Sequence, residues 1–351
     1  MKQTWNHLHA DLRFLITILI ILALFTLVLA IGIGPVQVAP RDVLQVLFEA
    51  ASSLGSHTPD PNDSLAHTIV IHLRLPRVLL AMIVGASLAV SGVTMQALVK
   101  NKLADPFILG VSSGAGVTAV LGLLFGVFSF FGRYALSISA FFGAMVTVIL
   151  VFSLSKIRGR LQITQLLLCG VAISMFADGL MRFLTLSAPN ALGIHNATFW
   201  LSGSFASVRW GYLTLPLLVL LVCLMVLLLH HRALNLLLLG EDSAGALGVN
   251  VPHLQKLLLL IVSLMVGTSV AVSGGIGFIG LMVPHFTRLL VGSDHRKVLP
   301  VSALLGGILL VWVDAAARTI LAPREMPVGV LTAIIGAPIF IFLLKRAVKH
   351  R

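Results

Sequence analysis

FLITILIILALFTLVLAIGI occupies residues 14–33 and carries no charged side chain in twenty successive positions. A helix rises about 1.5 Å per residue, so about twenty apolar residues cross the hydrocarbon core of a bilayer. The run lacks a convincing small-residue cleavage site, and equally apolar runs follow it. We therefore interpret it as a retained membrane helix and not as a signal peptide.

Nine further runs are long and apolar enough to suggest membrane helices, at about 78–99, 107–128, 134–154, 163–186, 212–230, 255–273, 277–292, 299–318 and 328–345. The chain is 58% hydrophobic and 10% charged, with a mean hydropathy of +1.06, whereas soluble domains carry about a quarter charged residues. Continuous apolar runs favour helices over an alternating β-barrel. The sequence predicts an all-α integral membrane protein of about ten transmembrane helices, forming one domain over residues 1–351.

The basic residues indicate how such a protein would be oriented. The chain has 24 Lys and Arg against 12 Asp and Glu, a net charge of +12. With ten spans both termini share a side, and the loops on that side would hold 16 of the 24 basic residues. By the positive-inside rule both termini are expected to be cytoplasmic, and the positive charge needs no nucleic-acid partner.

The eight remaining basic residues are all arginine. Because arginine pairs in a fixed, bidentate geometry with carboxylates, this bias suggests that an acidic surface docks on the outer side. A chance bias in a set of eight is the alternative. Of the outer loop at residues 34–73, the part around 41–51 is expected to form a short surface helix.

The largest inner segment, residues 230–256, contains Gly-Glu-Asp-Ser from Gly240 onwards, which favours a helix N-terminus because acidic side chains face the positive end of the helix dipole. Gly248 and Asn250 suit a helix end. We expect a short helix at the cytoplasmic surface, and an ordinary structured loop is the alternative.

No phosphate-binding loop, zinc motif or nucleophile elbow occurs in the sequence, so we predict no catalytic residue, no metal site and no cofactor on this chain. Acidic residues within the spans are scarce. Asp178 and Arg182, and likewise Asp314 and Arg318, lie four residues apart and can neutralise each other on one helix face. Only Asp178 could act as a proton relay near the midplane, which leaves a stand-alone secondary transporter as the weaker alternative.

Several short motifs occur in a fixed order along the chain. RLPR spans residues 74–77, VGASLAVSG spans 84–92 and NKLADP spans 101–106; LGEDSA spans 239–244, LGVN spans 247–250 and PREMPVG spans 323–329. Together they resemble the FecCD family of binding-protein-dependent ABC permeases, which import iron–siderophore chelates, haem and cobalamin. The resemblance extends from about residue 70 to the C-terminus.

The resemblance implies a type II ABC importer permease fold in the bacterial cytoplasmic (inner) membrane. The permease would pair with a second permease subunit, either a copy of itself or a close paralogue. Two cytoplasmic ATPase subunits would bind ATP and Mg, and an extracytoplasmic substrate-binding protein would deliver the cargo. The chain itself would not be an enzyme. An iron chelate, either a siderophore complex or haem, is the expected cargo, and cobalamin is the alternative.

The resemblance also assigns roles to matching positions. Arg74, Arg77 and Arg318 would contact acidic residues of the binding protein. Residues 230–256 would be the coupling segment that engages the ATPase, through Leu239, Gly240, Glu241, Ala244, Leu247 and Gly248. Two cytoplasmic gate regions would be formed by Asn101, Leu103, Ile163 and Thr164. The family's cobalamin permease carries Thr-Ser where this chain has Ile163-Thr164. Candidate residues of the pathway wall are Met175, Met181 and Phe183, for which core packing or lipid contact is the alternative.

Overall fold

The protein is almost entirely helical. The computed structural model describes residues 12–36, 38–52, 65–157 and 160–349. Within these residues the helices are α1 (Leu12–Gly32), α2 (Pro40–Ser52), α3 (Leu65–His67), α4 (Leu75–Val99), α5 (Val111–Phe125), α6 (Ala135–Leu154), α7 (Ile163–Leu186), α8 (Ala191–Leu201), α9 (Thr214–Leu229), α10 (His231–Leu237), α11 (Glu241–Ala246), α12 (Val251–Ser273), α13 (Ile279–Val291), α14 (His295–Thr319) and α15 (Val328–Lys349). A π-helical turn, Thr68–Arg74, joins α3 to α4. Two short strands, β1 (Lys156–Ile157) and β2 (Arg160–Leu161), pair antiparallel between α6 and α7.

All ten predicted spans coincide with helices, and this confirms the prediction of an all-helical membrane protein. In the described residues, seven helices are long and apolar enough to cross a membrane: α1, α4 with the turn before it, α6, α7, α9, α12 and α14. The other three positions hold shorter apolar helices, namely α5, α13 and the part of α15 at Val328–Phe342. Length and composition alone therefore support seven spans, where the sequence predicted about ten.

Breaks in the backbone explain why α5 and α13 are shorter than their apolar runs. A 3₁₀ turn, Pro106–Leu109, precedes α5. Residues 274–278 are not helical, and Gly274 has a φ of +67°. A side chain on Gly274 would overlap the carbonyl of Trp200. Hydropathy reports how apolar a run is, but it does not register such breaks.

The centre of the bundle is α4, in which 21 of 25 residues are buried. It packs against α14, α12 and α13. A Cβ added to Gly85 would overlap the backbone of Gly306 in α14, and one added to Gly92 would overlap the backbone of Gly280 in α13. Glycines at such positions let helix backbones touch, which is how membrane helices gain packing contacts without a hydrophobic driving force between them.

By contrast, α7 lies at the periphery of the chain. Only Leu166, Gly170 and Ala177 are buried among its 24 residues. Its exposed positions include Met175, which is 70% exposed, and Phe183, which is 64% exposed. In a single copy of the chain this face is uncovered.

Two local predictions are confirmed and one is wrong. The surface helix expected at 41–51 is α2. The helix expected from Gly240 onwards is α11, with Glu241 and Asp242 in its first turn. Gly248, with a φ of +88°, lies just after the end of this helix as predicted. Asn250 does not end α11; its side chain instead caps the start of α12 by accepting a hydrogen bond from the backbone N–H of His253 at 3.1 Å.

Candidate functional site

The three arginines predicted to bind a partner, Arg74, Arg77 and Arg318, form a cluster at one end of the bundle. They line a cavity of about 330 Å³. Arg74 ends the turn before α4, Arg77 lies in the first turn of α4, and Arg318 lies in the last turn of α14. All three residues are buried, with 3–7% of their surface exposed. The sequence suggested an arginine surface, whereas the structure places these side chains inside the chain; their docking role stays a prediction.

Arg77 bridges two carboxylates. Its Nε and Nη2 lie 2.9–3.2 Å from the carboxylate oxygens of Asp314, and its Nη1 donates to both oxygens of Glu325 at 2.9 Å. The Asp314 side chain is fully buried on α14, while the Glu325 side chain is 29% exposed in the loop before α15. Arg77 thus holds one fixed acid and one that reaches the cavity surface.

Arg318 and Arg74 bind the C-terminal carbonyls of α1. Arg318 donates to the carbonyl of Ala30 in α1 and to that of Ile33, the residue after α1, each at 3.1 Å, and Arg74 donates to the carbonyl of Ile31 in α1 at 2.8 Å. These carbonyls have no partner within their helix and carry the negative end of its dipole, so cations are favourable there. Nε of Arg318 also lies 3.1 Å from Asp314, which confirms the predicted pair four residues apart on α14.

The arginine cluster is not fully neutralised by acids. Three guanidinium groups meet two carboxylates, so the cavity holds one positive charge in excess, partly offset by the α1 carbonyls. Sequence reasoning missed that Asp314 and Glu325 bind Arg77, because they lie 237 and 248 residues away. The only sequence feature that drew attention to Glu325 is its position in the PREMPVG motif.

The predicted coupling segment, residues 230–256, lies at the opposite end of α4 and contains α10 and α11; its coupling role stays a prediction. Ala244 is fully buried, whereas Leu239 and Leu247 are 67% and 62% exposed. The short helix α11 is therefore anchored by a small side chain and flanked by two leucines that face outward. Exposed apolar side chains grouped in this way are typical of surfaces that another protein covers.

An ion pair joins the coupling segment to the predicted gate. Glu241 lies 2.8 Å from Nζ of Lys100, the residue that ends α4 in a left-handed conformation. Asn101, the first gate residue, follows directly. Sequence reasoning missed this pair, because the two residues are 141 positions apart.

The four predicted gate residues lie at two places. Asn101 accepts a hydrogen bond from the backbone N–H of Leu103 at 3.0 Å, and both residues are exposed. Ile163 and Thr164 begin α7, half-buried and exposed respectively. In the described part of the chain, no hydrogen bond or ion pair joins the two places, so one copy does not assemble the gate and its role stays a prediction.

Asp105 lies in the loop between the first gate residues and α5. Its carboxylate accepts a hydrogen bond from the backbone N–H of Phe107 at 2.7 Å and caps the 3₁₀ turn. Burial raises the pKa of Asp105 to about 6, against the opposing effect of this hydrogen bond. The carboxylate borders a cavity of about 280 Å³ together with Ser112 and Ser113.

The exposed face of α7 carries two charges. Asp178 and Arg182 are both exposed and, within the described residues, form no ion pair, so their predicted mutual neutralisation is wrong. They border a cavity of about 400 Å³ with Met181 and Thr185. Charged groups on a spanning helix are costly in lipid. This face is therefore expected to meet protein or water, not acyl chains, in the membrane.

The described residues do not bring together a set of ligands for a bound metal ion. No group of three or more His, Cys, Asp or Glu side chains comes together there. The chemistry that these sites offer is therefore ion pairing, hydrogen bonding and apolar contact, which are suited to binding partners and to transmitting movement.

Comparison with known proteins identifies close relatives. A sequence profile of the FecCD transport family matches residues 20–346. The hemin transport system permease of Yersinia pestis is 41% identical over 292 residues, which cover 83% of this chain and 86% of that protein. The vitamin B12 import system permease of Vibrio cholerae is 42% identical over 283 residues, covering 81% and 84%. A solved metal-chelate type ABC transporter, in an inward-facing conformation, matches with a TM-score of 0.80 at 33% identity, covering 95% of this chain and 99% of that one.

Proposed function

This chain belongs to the FecCD transport family and is the permease subunit of an ABC importer, and on that premise we propose that it carries an iron chelate into the cytoplasm. The chelate is either a siderophore complex or haem. The chain is a multi-pass membrane protein and not itself an enzyme. The energy comes from ATP, bound with Mg by two partner ATPase subunits.

The observation that supports an ATPase as the energy source is the arrangement of side chains in the coupling segment. Leu239 and Leu247 are exposed on either side of the buried Ala244, and Glu241 pairs with Lys100 at the end of the central helix. An ATPase that covers the two leucines gains apolar contact. Glu241 also places α11 in contact with the end of α4, directly before the gate loop.

We propose alternating access as the mechanism. Two permease copies, or this chain and a paralogue, meet through faces that include α7, where the exposed Asp178 and Arg182 border a water-accessible path. Asn101 and Leu103 close that path on the inner side together with Ile163 and Thr164. Nucleotide binding shifts the population between outward and inward states, because the ATPase pair fits the two states with different affinity.

Docking of the substrate-binding protein is assigned to the arginine cluster. The excess positive charge of the cavity favours acidic side chains, and the half-exposed Glu325 marks where a carboxylate already reaches Arg77. Complementary charges of this kind fix orientation and speed encounter more than they add affinity. The buried position of the three arginines makes them rigid donors.

We place the protein in the bacterial cytoplasmic membrane with both termini inside. If the three shorter apolar helices also span, ten spans put both termini on one side, and 16 of the 24 basic residues would fall on that side. In this orientation the coupling segment is cytoplasmic and the arginine cluster faces outward.

Cobalamin remains a second candidate for the cargo. The vitamin B12 permease of Vibrio cholerae is as similar to this chain as the hemin permease of Yersinia pestis, at 42% against 41% identity. Overall identity therefore does not choose between the two, although the Ile163-Thr164 pair departs from the cobalamin permease.

Reconstitution into proteoliposomes tests the proposal. The permease, its ATPase and its binding protein are assembled with ATP on the side of the coupling segment, and accumulation of haemin, a ferric siderophore and cyanocobalamin is measured. We expect an iron chelate to accumulate only when ATPase, ATP and binding protein are all present. Uptake by the permease without its ATPase would contradict ATP as the energy source. Accumulation of cyanocobalamin, but of neither iron chelate, would show that the cargo is cobalamin.

A further inference from the structure

A compact set of hydrogen bonds ties the coupling segment to the start of α14. The side chain of Asn235, on α10, donates from Nδ2 to Oδ1 of Asp294 at 2.8 Å. Its Oδ1 accepts from the backbone N–H of His295 at 2.9 Å and lies 2.7 Å from Nδ1 of the same residue. One amide group thus makes three contacts with two successive residues of another helix.

Both partners depend on this amide. Asp294 is the N-terminal cap of α14, accepting from the backbone N–H of Arg296 at 3.0 Å. His295 is fully buried, and its other ring nitrogen, Nε2, has no hydrogen-bond partner in the described residues. Since the amide oxygen of Asn235 can only accept, His295 carries its proton on Nδ1. Asn235 therefore supplies the hydrogen bond made by the buried imidazole.

Asp294 stays ionised in this arrangement. Partial desolvation works against ionisation, but the hydrogen bonds from Asn235 and from the Arg296 backbone lower the pKa of Asp294 below its usual value, helped by the nearby His231 and Lys297. The contact between Asn235 and Asp294 is thus charge-assisted, which makes it stronger than a hydrogen bond between neutral groups.

The helix held in this way runs the length of the molecule. With 25 residues, α14 extends about 37 Å from Asp294 to the arginine cluster, where it carries Asp314 and Arg318. It touches the central helix α4 backbone to backbone at Gly85 and Gly306. Movement at its coupling end is therefore transmitted through a helix and not through a loop; Pro300, about one turn and a half from that end, removes one backbone hydrogen bond.

The coupling segment is also held by the fully buried side chains of Leu234, Leu237 and Ala244, and by a second polar contact, which is weaker. Lys100 and Glu241 pair at 2.8 Å, but their side chains are 33% and 41% exposed. Pairs exposed to this extent are screened by salt and contribute little. Of the two polar contacts, the one through Asn235 consists of three hydrogen bonds, two of them to the fully buried His295.

We propose that Asn235 is a positioning residue that fastens the coupling segment to α14, so that a displacement of α11 imposed by the ATPase moves α14 as one unit. The proposal rests on the proposed function only in naming the ATPase as the source of the displacement. The fastening itself is a property of this chain.

Hydrogen–deuterium exchange on the full-length permease in lipid nanodiscs tests the fastening without any partner. Asn235→Ala is expected to raise exchange at backbone amides of residues 231–246 about tenfold, because α10 loses its hydrogen bonds to Asp294 and His295. Asn190→Ala is the control. It removes an equivalent side-chain bond, from the Gly193 N–H to Asn190 at 2.6 Å, at the start of α8, and should leave residues 231–246 unchanged.

Swapping the side chains at positions 235 and 294 distinguishes a positioning role of Asn235 from a general loss of stability. Asn235→Asp alone places a second carboxylate against Asp294 and should loosen the segment. Asn235→Asp combined with Asp294→Asn reverses the donor and the acceptor: the amide at position 294 donates to the carboxylate at 235, which still accepts from His295. This double variant should restore protection, and it decides the question even if Asn235→Ala fails to fold.

Transmission is measured in the assembled importer, as haemin imported per ATP hydrolysed. Asn235→Ala and Asn235→Asp are expected to hydrolyse ATP but to import about tenfold less per ATP, and the double variant is expected to recover. Three results would each overturn the proposal. The first is unchanged hydrogen exchange in residues 231–246 of Asn235→Ala, and the second is a double variant that does not regain protection. The third is a variant with a loosened segment that still imports as much haemin per ATP as the parent. A parent complex that imports no haemin would count against haem as the cargo, and the exchange results would still test the fastening.

Discussion

At the scale of single residues, the charges buried near one end of α14 are held in place by each other. Asp314 is fully buried and contacts both Arg77 and Arg318, whereas Glu325 is partly exposed and contacts Arg77 alone. Removing one partner from a buried ion pair leaves the remaining charge uncompensated, which costs about 3–5 kcal/mol. An exposed partner contributes about 0–1 kcal/mol, because water replaces it.

These two carboxylates should therefore differ when neutralised. Asp314→Asn is expected to lower the apparent melting temperature in detergent markedly, corresponding to a loss of about 3 kcal/mol, because two guanidinium groups lose their shared anion. Glu325→Gln should cost about 1 kcal/mol or less. Asp42→Asn, on an exposed position of α2, is the control. Equal destabilisation by Asp314→Asn and Asp42→Asn would contradict the ion-pair geometry.

Asp105 gives stability an unusual dependence on pH. Its pKa in the folded protein is about 6, above the ordinary value of 3.8, so the folded state binds the proton more tightly than the unfolded state does. The stabilising contribution is complete below pH 4 and is lost as the pH rises from about 4 to 6. The loss amounts to about 2–3 kcal/mol.

Asp105→Asn should remove that loss. The amide oxygen can still accept from the backbone N–H of Phe107, but no charge is buried at neutral pH. We expect the variant to melt at a higher temperature than the parent at pH 7.5 and to show a flatter difference profile between pH 4 and 7. A variant that is less stable than the parent at pH 7.5 would show that the ionised carboxylate is needed.

Residue contacts were predictable from the sequence only over short separations. The spacing of four residues predicted the pair of Asp314 and Arg318, and the structure confirms it. The same spacing predicted a pair of Asp178 and Arg182, but the two side chains lie on an exposed face of α7 and do not pair. Arg77 with its two acids, and Asn235 with Asp294, lie too far apart in the chain for any local pattern to relate them.

At the scale of helices, close contact between backbones determines which helices form the core. The central helix α4 meets α14 at Gly85 and Gly306, and meets α13 at Gly92 and Gly280. Such contacts let dispersion forces act between whole helix backbones, because no side chain separates them. Helix α4 can then be buried almost completely, while α7 stays at the periphery.

Filling one of these contacts should loosen the core. Gly85→Ala adds a Cβ that would overlap the Gly306 backbone, and overpacking of this kind costs about 1–3 kcal/mol. Gly179→Ala on α7 is the matched control, since a Cβ there meets nothing within 4 Å. Melting of the two variants in the same detergent should show a loss of several degrees for the first and no loss for the second. A parent-like Gly85→Ala would contradict the backbone contact.

The positions of the helices could be read from apolar runs, and α2 and α11 from their flanking residues. The lengths of α5 and α13 could not. A 3₁₀ turn shortens the first, and the non-helical residues 274–278 shorten the second. These breaks depend on tertiary contacts such as Gly274 against Trp200, which composition does not record.

At the scale of the whole molecule, two long helices join the two ends to which functions are proposed. The arginine cluster lies where α4 begins and α14 ends. The coupling segment contacts the opposite ends, through Lys100 after α4 and Asp294 before α14. A permease built in this way can relate events at its two surfaces by moving the α4–α14 pair as a body. An importer driven through the coupling segment requires that segment to face the cytoplasm.

Thiol labelling in intact cells measures that orientation directly. In a background with Cys169→Ala and Cys223→Ala, Leu239→Cys places a thiol on the exposed part of the coupling segment, and Ser207→Cys places one in the exposed loop after α8. A membrane-impermeant maleimide should label Ser207→Cys in whole cells. It should label Leu239→Cys only in inverted vesicles, and addition of the ATPase should then shield that thiol. Labelling of Leu239→Cys from outside intact cells, or a thiol that the ATPase leaves fully reactive, would contradict an importer driven through this segment.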